Sequence, residues 1–225
     1  MKQLVRVLLV FCLCVVSFVS AKDYSEEYRF GIGGLYGTRD LAPDNNVTNV
    51  GGVLVLSSDG VYKRFKLAPT IMLGAGDSSR HNAPFVFYDF LVKVGLNIAS
   101  YEHPLYINVG IGSTQLYDDT RDDTFKVRTT EYLAGLEGII KKSEKLRYEY
   151  SADYHYVGAG SYGGIRISDN GSYGIRASLG FSYQLGEKLF YYVKLRAKYQ
   201  NITYNPSLPT AQNLVGMVEI GLGGR

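Results

Sequence analysis

The sequence has few of the residues that stabilise small secreted domains or bind nucleic acids. It contains only two cysteines, Cys12 and Cys14, and both lie in the first apolar segment. If that segment is removed, no disulfide can stabilise the rest of the chain. The formal net charge is only +3, and Lys2 and Arg6 of the same segment contribute to it. The chain therefore lacks the concentrated basic face that a nucleic-acid partner requires, and we expect no nucleic acid among its partners.

Long hydrophobic runs are also missing, except at the start of the chain. Residues 1–21 carry Lys2 and Arg6, then an apolar run to Val19, and end in small residues at Ala21. This pattern predicts a secretion signal that is cleaved after Ala21. The run is shorter than the roughly 20 residues that a spanning helix needs, and no later stretch approaches that length. We therefore expect a signal peptide over 1–21 and a single domain over 22–225 without a transmembrane helix.

What the sequence does contain is tyrosine, glycine and a strict alternation of apolar and polar residues. There are 20 tyrosines, 26 glycines and no tryptophan. Between residues 146 and 157 the even positions are Tyr148, Tyr150, Ala152, Tyr154 and Tyr156, whereas the odd positions are Arg147, Glu149, Ser151, Asp153 and His155. Alternate residues of a strand point to opposite faces, so one face is aromatic and the other ionisable. The alternation recurs over 173–185 and 189–199. An apolar outer face with a charged inner face is typical of a transmembrane β-barrel, in which tyrosine suits the boundary between lipid and water.

The same period-two test predicts ten strands. They cover 28–37, 49–57, 61–76, 85–99, 105–116, 125–141, 146–160, 171–185, 189–203 and 213–223. Tight turns, among them the SSDG sequence at 57–60, alternate with longer polar links. This order predicts an all-β, antiparallel up-and-down barrel with its short turns in the periplasm and its longer loops outside. Eight strands remain an alternative, because Gly51 and Gly52 blur the second strand and Pro69 interrupts the third, where we expect a bulge or a boundary error.

The inward positions of these strands predict a charged lumen. The predicted lumen residues are Glu131, Glu137, Arg147, Glu149, Asp153, His155, Arg176, Lys194, Arg196, Lys198 and Glu219. They either pair across the lumen or line a narrow ion path. Ten strands lie close to the size at which side chains fill a barrel, which favours pairing. If the lumen is open instead, the three cations Lys194, Arg196 and Lys198 on one strand would make the pore favour anions.

No arrangement of residues in the sequence indicates an enzyme. Ser151, Asp153 and His155 resemble a hydrolase set, but residues two apart on a strand are separated by about 6.6 Å, too far for a direct contact between nucleophile and base. Partners on neighbouring strands could still complete a site with His155, but we expect no catalytic residue. For a non-enzymatic barrel we expect replacement of His155 by alanine to leave stability and any activity nearly unchanged. His81 and His103 lie in a loop and a turn, where solvated histidines are the simplest interpretation.

Three further patterns resemble ligand or modification sites, but we predict no cofactor and no metal site from them. Gly158, Gly160 and Gly163 match the spacing of a dinucleotide loop, but a strand follows them instead of the required helix, so we interpret them as a flexible loop. A loop cluster could hold a divalent cation together with lipopolysaccharide, although such clusters are usually solvated; it comprises Asp118, Asp119, Asp122 and Asp123. Asn46 lies in an N-x-T sequence that also carries Asp44, which hints at glycosylation.

The signal sequence, the alternating strands and the order of short turns and longer loops resemble the small outer-membrane β-barrels of Gram-negative bacteria, in particular the opacity-type and porin-like families. The resemblance implies insertion by the barrel-assembly machinery, contact with outer-membrane lipid and lipopolysaccharide, and a role as adhesin, structural anchor or small channel. The ending EIGLGGR departs from the terminal aromatic residue of that pattern. Our first hypothesis is a non-enzymatic barrel whose outer loops bind a host or envelope ligand. The alternatives are an anion-leaning channel and, third, a lipid- or peptide-processing barrel enzyme.

Overall fold

A computed structural model describes residues 24–40, 46–79, 83–118, 127–162, 165–167, 171–203 and 210–225. The predicted signal peptide over 1–21, with its cleavage site after Ala21, lies outside the described residues. In the described part of the chain, no helix combines the length and the apolar composition needed to cross a membrane.

Ten long strands form one closed antiparallel barrel. They are β1 (Tyr24–Asp40), β2 (Asn46–Tyr62), β3 (Phe65–Ser78), β4 (Pro84–Asn97), β5 (Leu105–Asp118), β6 (Val127–Lys141), β7 (Leu146–Tyr162), β9 (Tyr173–Gln184), β10 (Leu189–Ile202) and β11 (Ala211–Gly224). A two-residue strand, β8 (Ile165–Arg166), pairs with the last two residues of β7. Each long strand pairs with the next one along the chain, and β11 pairs with β1. The predicted ten-strand barrel is thus confirmed, and the eight-strand alternative is wrong.

The barrel has two unlike ends. Short links join β2 to β3, β4 to β5, β6 to β7 and β9 to β10 at one end, which we call the turn end. The other end, which we call the loop end, carries the remaining links, including the one that contains β8. This is the alternation of connection lengths that the sequence predicts.

The predicted turn at 57–60 is wrong. Strand β2 continues through the SSDG sequence to Tyr62, and the chain reverses at Lys63, which has a positive φ of 53°. The predicted bulge at Pro69 is also absent, because the register is the same on both sides of it: Ser57 pairs with Thr70 and Gly60 with Leu67, and only the pairs at Pro69 and Ala68 are missing. Only the boundary was misplaced. Ser, Asp and Gly favour turns locally, but pairing with both neighbouring strands keeps this segment extended.

The irregularity lies instead between β6 and β7. Thr130 pairs with Ala159, whereas Glu131 pairs with Val157, so Gly158 is an extra residue in β7. A Cβ atom at Gly158 would lie 2.6 Å from the ring of Tyr132, so a larger residue at the bulge would have to displace that exposed ring. Gly158 and Gly160 therefore belong to a strand, and the flexible loop predicted there is wrong for these two residues; Gly163 lies outside the described residues.

The two faces of the wall differ as the alternation predicts. Tyr148, Tyr154 and Tyr156 of β7 are exposed on the outer face, whereas Asp153 and His155 are buried inside. The outer face is apolar on the other strands as well, with Phe30, Ile32, Val94, Leu96, Ile107, Val109, Leu136, Leu179, Leu195, Val218 and Ile220 exposed. This is the inverse of a water-soluble barrel, in which such side chains would be inside.

The barrel closes where β1 pairs with β11, a seam that is rich in glycine. Their register runs from Tyr28 opposite Gly224 to Asp40 opposite Gln212. A Cβ at Gly33 would lie 2.0 Å from the carbonyl oxygen of Val218. The adjacent Gly34, in contrast, has no atom within 4 Å of the same position. Glycine is thus required at Gly33 by the close approach of the two strands.

Candidate functional site

The lumen is the candidate functional site, because it gathers most of the buried charged side chains of the described residues. Every predicted lumen residue has a hydrogen bond or an ion pair with another inward side chain; these residues are Glu131, Glu137, Arg147, Glu149, Asp153, His155, Arg176, Lys194, Arg196, Lys198 and Glu219. The structure divides them among three groups of interacting side chains.

The first group, which we call the central cluster, consists of Asp89, Glu131, His155, Arg176 and Lys198. Glu131 is fully buried and accepts hydrogen bonds from Lys198 Nζ at 2.5 Å and from Arg176 Nη2 at 3.1 Å. Asp89 binds the same two cations, with Arg176 Nη2 at 2.6 Å from Oδ1 and Lys198 Nζ at 3.2 Å. Two carboxylates and two cations thus neutralise one another in the middle of the lumen, which a buried charge requires.

Neutral donors complete the shell around Glu131. Thr114 Oγ1 lies at 2.9 Å, Thr129 Oγ1 at 2.8 Å and Gln200 Nε2 at 2.7 Å. His155 Nδ1 lies 2.6 Å from the other carboxylate oxygen, so the ring donates a hydrogen bond through Nδ1–H to the ionised Glu131. These donors come from four different strands, so Glu131 ties the wall together across the lumen.

The second group lies nearer the turn end, and we call it the lower cluster. Arg29 binds Glu149 through two nitrogens, at 2.5 and 2.8 Å, and also donates to Glu27. Glu27 in turn binds Arg147 and, at 3.1 Å, Arg225. The cluster continues across the lumen through further ion pairs that include Asp59, Lys66, Lys93, Glu137, Asp153 and Lys194.

The third group is a small one on β10 and β11. Glu219 is fully buried and accepts hydrogen bonds from Tyr192 Oη at 2.5 Å and Arg196 Nε at 2.6 Å. Lys194 lies 3.1 Å from Glu149, and Lys198 belongs to the central cluster. Each of the three cations on β10 therefore has a carboxylate partner, and the anion preference stays a prediction for an open lumen.

Beside and above the central cluster, toward the loop end, the lumen holds a buried apolar cluster together with the buried polar residues Arg39, Asn49 and Asn213. The buried apolar cluster comprises Leu35, Val53, Val55, Met72, Phe85, Phe87, Leu116, Val127, Val157, Ile167, Ile202, Ala211, Val215 and Met217. Ile167, which follows β8, is buried with them, and its N–H donates to the carbonyl of Gly160. Sequence alternation missed this layer, because Phe85 and Phe87 alternate with Val86 and Tyr88, so both faces of β4 are apolar there.

The space left inside the barrel is uneven. A cavity of about 70 Å³ lies among Arg29, Asp89, Asp153 and Arg176, and a void of about 20 Å³ lies toward the loop end near Asn49 and Leu116. At the turn end the lumen widens to a space of about 770 Å³, which we call the vestibule. Ion pairs and apolar side chains thus separate the vestibule from the loop end.

Sequence reasoning missed several lumen charges. Asp59 lies in the misplaced turn, and Lys66 was assigned to a strand whose boundary was wrong. Glu27 lies just before the predicted first strand, 28–37, so extending that strand toward Tyr24 would place it inside. Arg29 lies within the predicted strand but is not among the predicted lumen residues.

The remaining predicted residues are scattered. Ser151 Oγ lies 2.7 Å from Ser178 Oγ and contacts neither Asp153 nor His155 through a hydrogen bond. His155 Nε2 is buried and has no hydrogen-bond partner among the described residues. The expectation that His155 is dispensable for stability conflicts with its burial and its bond to Glu131.

The polar links contribute little to the site. His103 is exposed, and its Nδ1 accepts a hydrogen bond from the backbone of Lys141. Asn46 is exposed at the start of β2. Within the described ranges, no three side chains of the kinds that bind metals converge on a possible ion site. His81, Asp44 and most of the acidic loop cluster, namely Asp119, Asp122 and Asp123, lie outside the described residues; Asp118 is the last residue of β5.

Comparison with known proteins supports the fold. No protein-family model matches the chain, and no curated protein matches it either. Among solved structures, the outer membrane protease OmpT from Escherichia coli is similar, with a TM-score of 0.53, 9% sequence identity, and coverage of 91% of this chain and 97% of that chain. The translocator domain of the autotransporter NalP from Neisseria meningitidis matches with a TM-score of 0.43, 14% identity, and coverage of 94% and 91% of the two chains.

The outer membrane protein OprG from Pseudomonas aeruginosa matches with a TM-score of 0.36 and 11% identity, over 88% of this chain and 94% of that one. At these identities the OmpT match concerns the fold and not the chemistry. Together with the apolar outer face and the charged interior, it identifies the chain as a small ten-stranded β-barrel of the outer-membrane type.

Proposed function

We propose that the protein is an integral outer-membrane barrel with a closed lumen, neither a channel nor an enzyme, whose loops bind a ligand at the cell surface. The observation that carries the proposal is that two layers of side chains, one charged and one apolar, obstruct the lumen. The central cluster neutralises its own charges, and the apolar cluster fills much of the barrel beside and above it. A permanent ion path needs continuous water, which an apolar layer opposes.

The proposed orientation puts the turn end in the periplasm and the loop end outside, after removal of residues 1–21 and insertion by the barrel-assembly machinery. Short turns on the periplasmic side are general in bacterial outer-membrane barrels. Outer-membrane lipid and lipopolysaccharide would then surround the apolar wall. The ligand-binding surface would be formed by the loops at the loop end, and exposed loops on a rigid scaffold are common binding surfaces.

The absence of catalysis is part of the proposal. A hydrolytic mechanism with His155 would need a nucleophile within hydrogen-bond reach of its free nitrogen. Nε2 has no hydrogen-bond partner among the described residues, and Ser151 is bonded to Ser178. The imidazole is also fully buried, so a substrate could reach it only if the barrel rearranged.

A small channel is the second candidate, and the vestibule favours it. Its lining contains more lysine and arginine than carboxylate side chains, and it leads toward the ion pairs of the lower cluster. If thermal motion opened those pairs and the apolar layer, anions would be the preferred ions.

Conductance separates the two candidates. The chain is refolded in detergent, folding is verified by the gel mobility shift between boiled and unboiled samples, and single-channel currents are recorded in a planar bilayer. Folded protein without current steps supports the closed barrel. Discrete steps whose anion preference falls when Lys194, Arg196 and Lys198 are neutralised would replace it with the channel.

A further inference from the structure

The vestibule is a blind pocket at the turn end. Its volume of about 770 Å³ falls within the range of roughly 300–1,000 Å³ that is typical of ligand sites. The lower cluster closes its inner side, with Arg29, Glu27 and Lys66 among the residues that line it. Residues of three turns surround its mouth, which is open to solvent. The pocket therefore has a floor, a wall and one entrance.

The charge of this pocket is unbalanced toward positive. Eight lysine and arginine side chains line it, against five carboxylates. The inner cations are engaged in ion pairs, but the exposed Lys141 at the end of β6 and the exposed Lys142 and Lys145 of the β6–β7 link have no ion pair with any described residue. Lys63 lies across the mouth; its ammonium group lies over the ring of Tyr62, and it too has no ion pair with any described residue. Free lysines at the mouth would attract an anionic ligand.

The rim of the pocket is held in place by hydrogen bonds. Asn97 Oδ1 accepts from the N–H groups of Ala99 and Leu105, which fixes the β4–β5 link. His103 Nδ1 accepts from the N–H of Lys141 and ties that link to the next one. A preformed rim reduces the entropy that is lost when a ligand binds.

We propose that the vestibule binds a short acidic peptide segment of a partner on the turn-end side. The rim also carries Glu26, Glu102 and Glu144, which would repel a polyphosphate with its concentrated charge more strongly than a peptide whose carboxylates are spaced along the chain. The lining includes apolar surface as well, from Tyr101, Tyr106 and Ile139. The lining of the vestibule thus combines apolar and charged surface with an excess of cations. Such a surface is complementary to a peptide that has more carboxylates than amines. Only the cellular location of the partner depends on the proposed orientation.

The lack of tryptophan in this chain provides a direct test. A blocked peptide of sequence Asp-Glu-Trp-Glu-Asp is titrated with the folded full-length mature protein in detergent, and the emission of its single tryptophan is followed. We expect a saturable change that weakens as salt is raised, because the contacts are exposed ion pairs. The basic peptide Lys-Lys-Trp-Lys-Lys and empty micelles serve as ligand controls.

Charge reversal locates the site. The variant with Lys141→Glu, Lys142→Glu and Lys145→Glu should bind the acidic peptide about tenfold more weakly or worse, since three modest pair contributions are lost and repulsion is added. Lys188→Glu is the matched control, because Lys188 is an exposed turn-end lysine outside the vestibule, and it should bind normally. Folding of each variant is checked by its gel mobility shift.

Three outcomes would overturn the proposal: no saturable signal with folded protein, equal binding of the basic peptide, or unchanged binding by the triple variant. Displacement of the acidic peptide by an equal concentration of pyrophosphate would reject a peptide in favour of a phosphate ligand. None of these results bears on conductance, so failure of the vestibule site and failure of the closed-barrel function remain distinguishable.

Discussion

Replacing Glu131 tests whether the central cluster stabilises the barrel. This carboxylate is fully buried and binds Lys198, Arg176 and His155, together with three neutral donors. In Glu131→Ala one positive charge of the cluster loses its compensation. Breaking a buried pair by removing one partner costs about 3–5 kcal/mol. Because Asp89 still binds both cations, we expect the lower limit, a loss of about 3 kcal/mol in the free energy of unfolding.

A second substitution separates the charge effect from the lost volume. In the double variant Glu131→Ala with Lys198→Met, the pair between Asp89 and Arg176 remains balanced. A neutral replacement of a buried pair is often nearly neutral for stability, so the double variant should be more stable than Glu131→Ala alone. This reversal is not expected if the loss arises only from a cavity.

The assay is urea unfolding of protein folded in phospholipid vesicles, followed by gel mobility. Glu144→Ala is the control, since Glu144 is exposed in the β6–β7 link and its loss should change the free energy by no more than about 0.5 kcal/mol. If Glu131→Ala were as mild as this control, and the double variant no better, the network would not contribute to stability and the reasoning would fail.

Three further predictions use the same unfolding assay. Gly33→Ala should destabilise the barrel by about 1–3 kcal/mol, because its Cβ would meet the carbonyl oxygen of Val218 at 2.0 Å, whereas Gly34→Ala should be nearly neutral; similar effects would refute the close seam. Leu179→Arg, in the middle of the outer face of β9, should cost about 2–4 kcal/mol in a bilayer and Leu185→Arg, beyond the end of β9, clearly less; equal values would contradict a membrane that surrounds the middle of the strands. His155→Ala should lose about 1.5–3 kcal/mol with its bond to Glu131, and a stability equal to that of the unmutated protein would show that this bond is dispensable.

The barrel could be predicted from the sequence because its signal is local. Tyr154 is exposed outside and His155 is buried inside because neighbouring residues of a strand point to opposite faces. The alternation of apolar and polar residues therefore reveals the strand directly. Boundaries were harder. Asp59 lies in a segment with strong turn propensity, and its extension through pairing depends on strands β1 and β3.

The closure of the lumen could not be predicted in the same way. Glu131 and Asp89 share Arg176 and Lys198, yet these residues lie far apart in the sequence, and only the closed barrel brings them together. The register shift at Gly158 also affects which residues oppose one another, and a single glycine in a strand does not specify a bulge. Alternation therefore predicts which side chains point inward, but not which ones meet.

The seam between β1 and β11 has a consequence for the order of folding. All other neighbouring long strands are consecutive in the chain, so each pair can form as a hairpin, but the seam joins the first strand to the last. Closing a loop of roughly 170 residues rather than a hairpin of about five costs about 3 kcal/mol more in chain entropy. The seam is therefore expected to form last. Until it does, the sheet has two unpaired edges that can pair with other copies of the chain, so rapid closure protects the protein from aggregation.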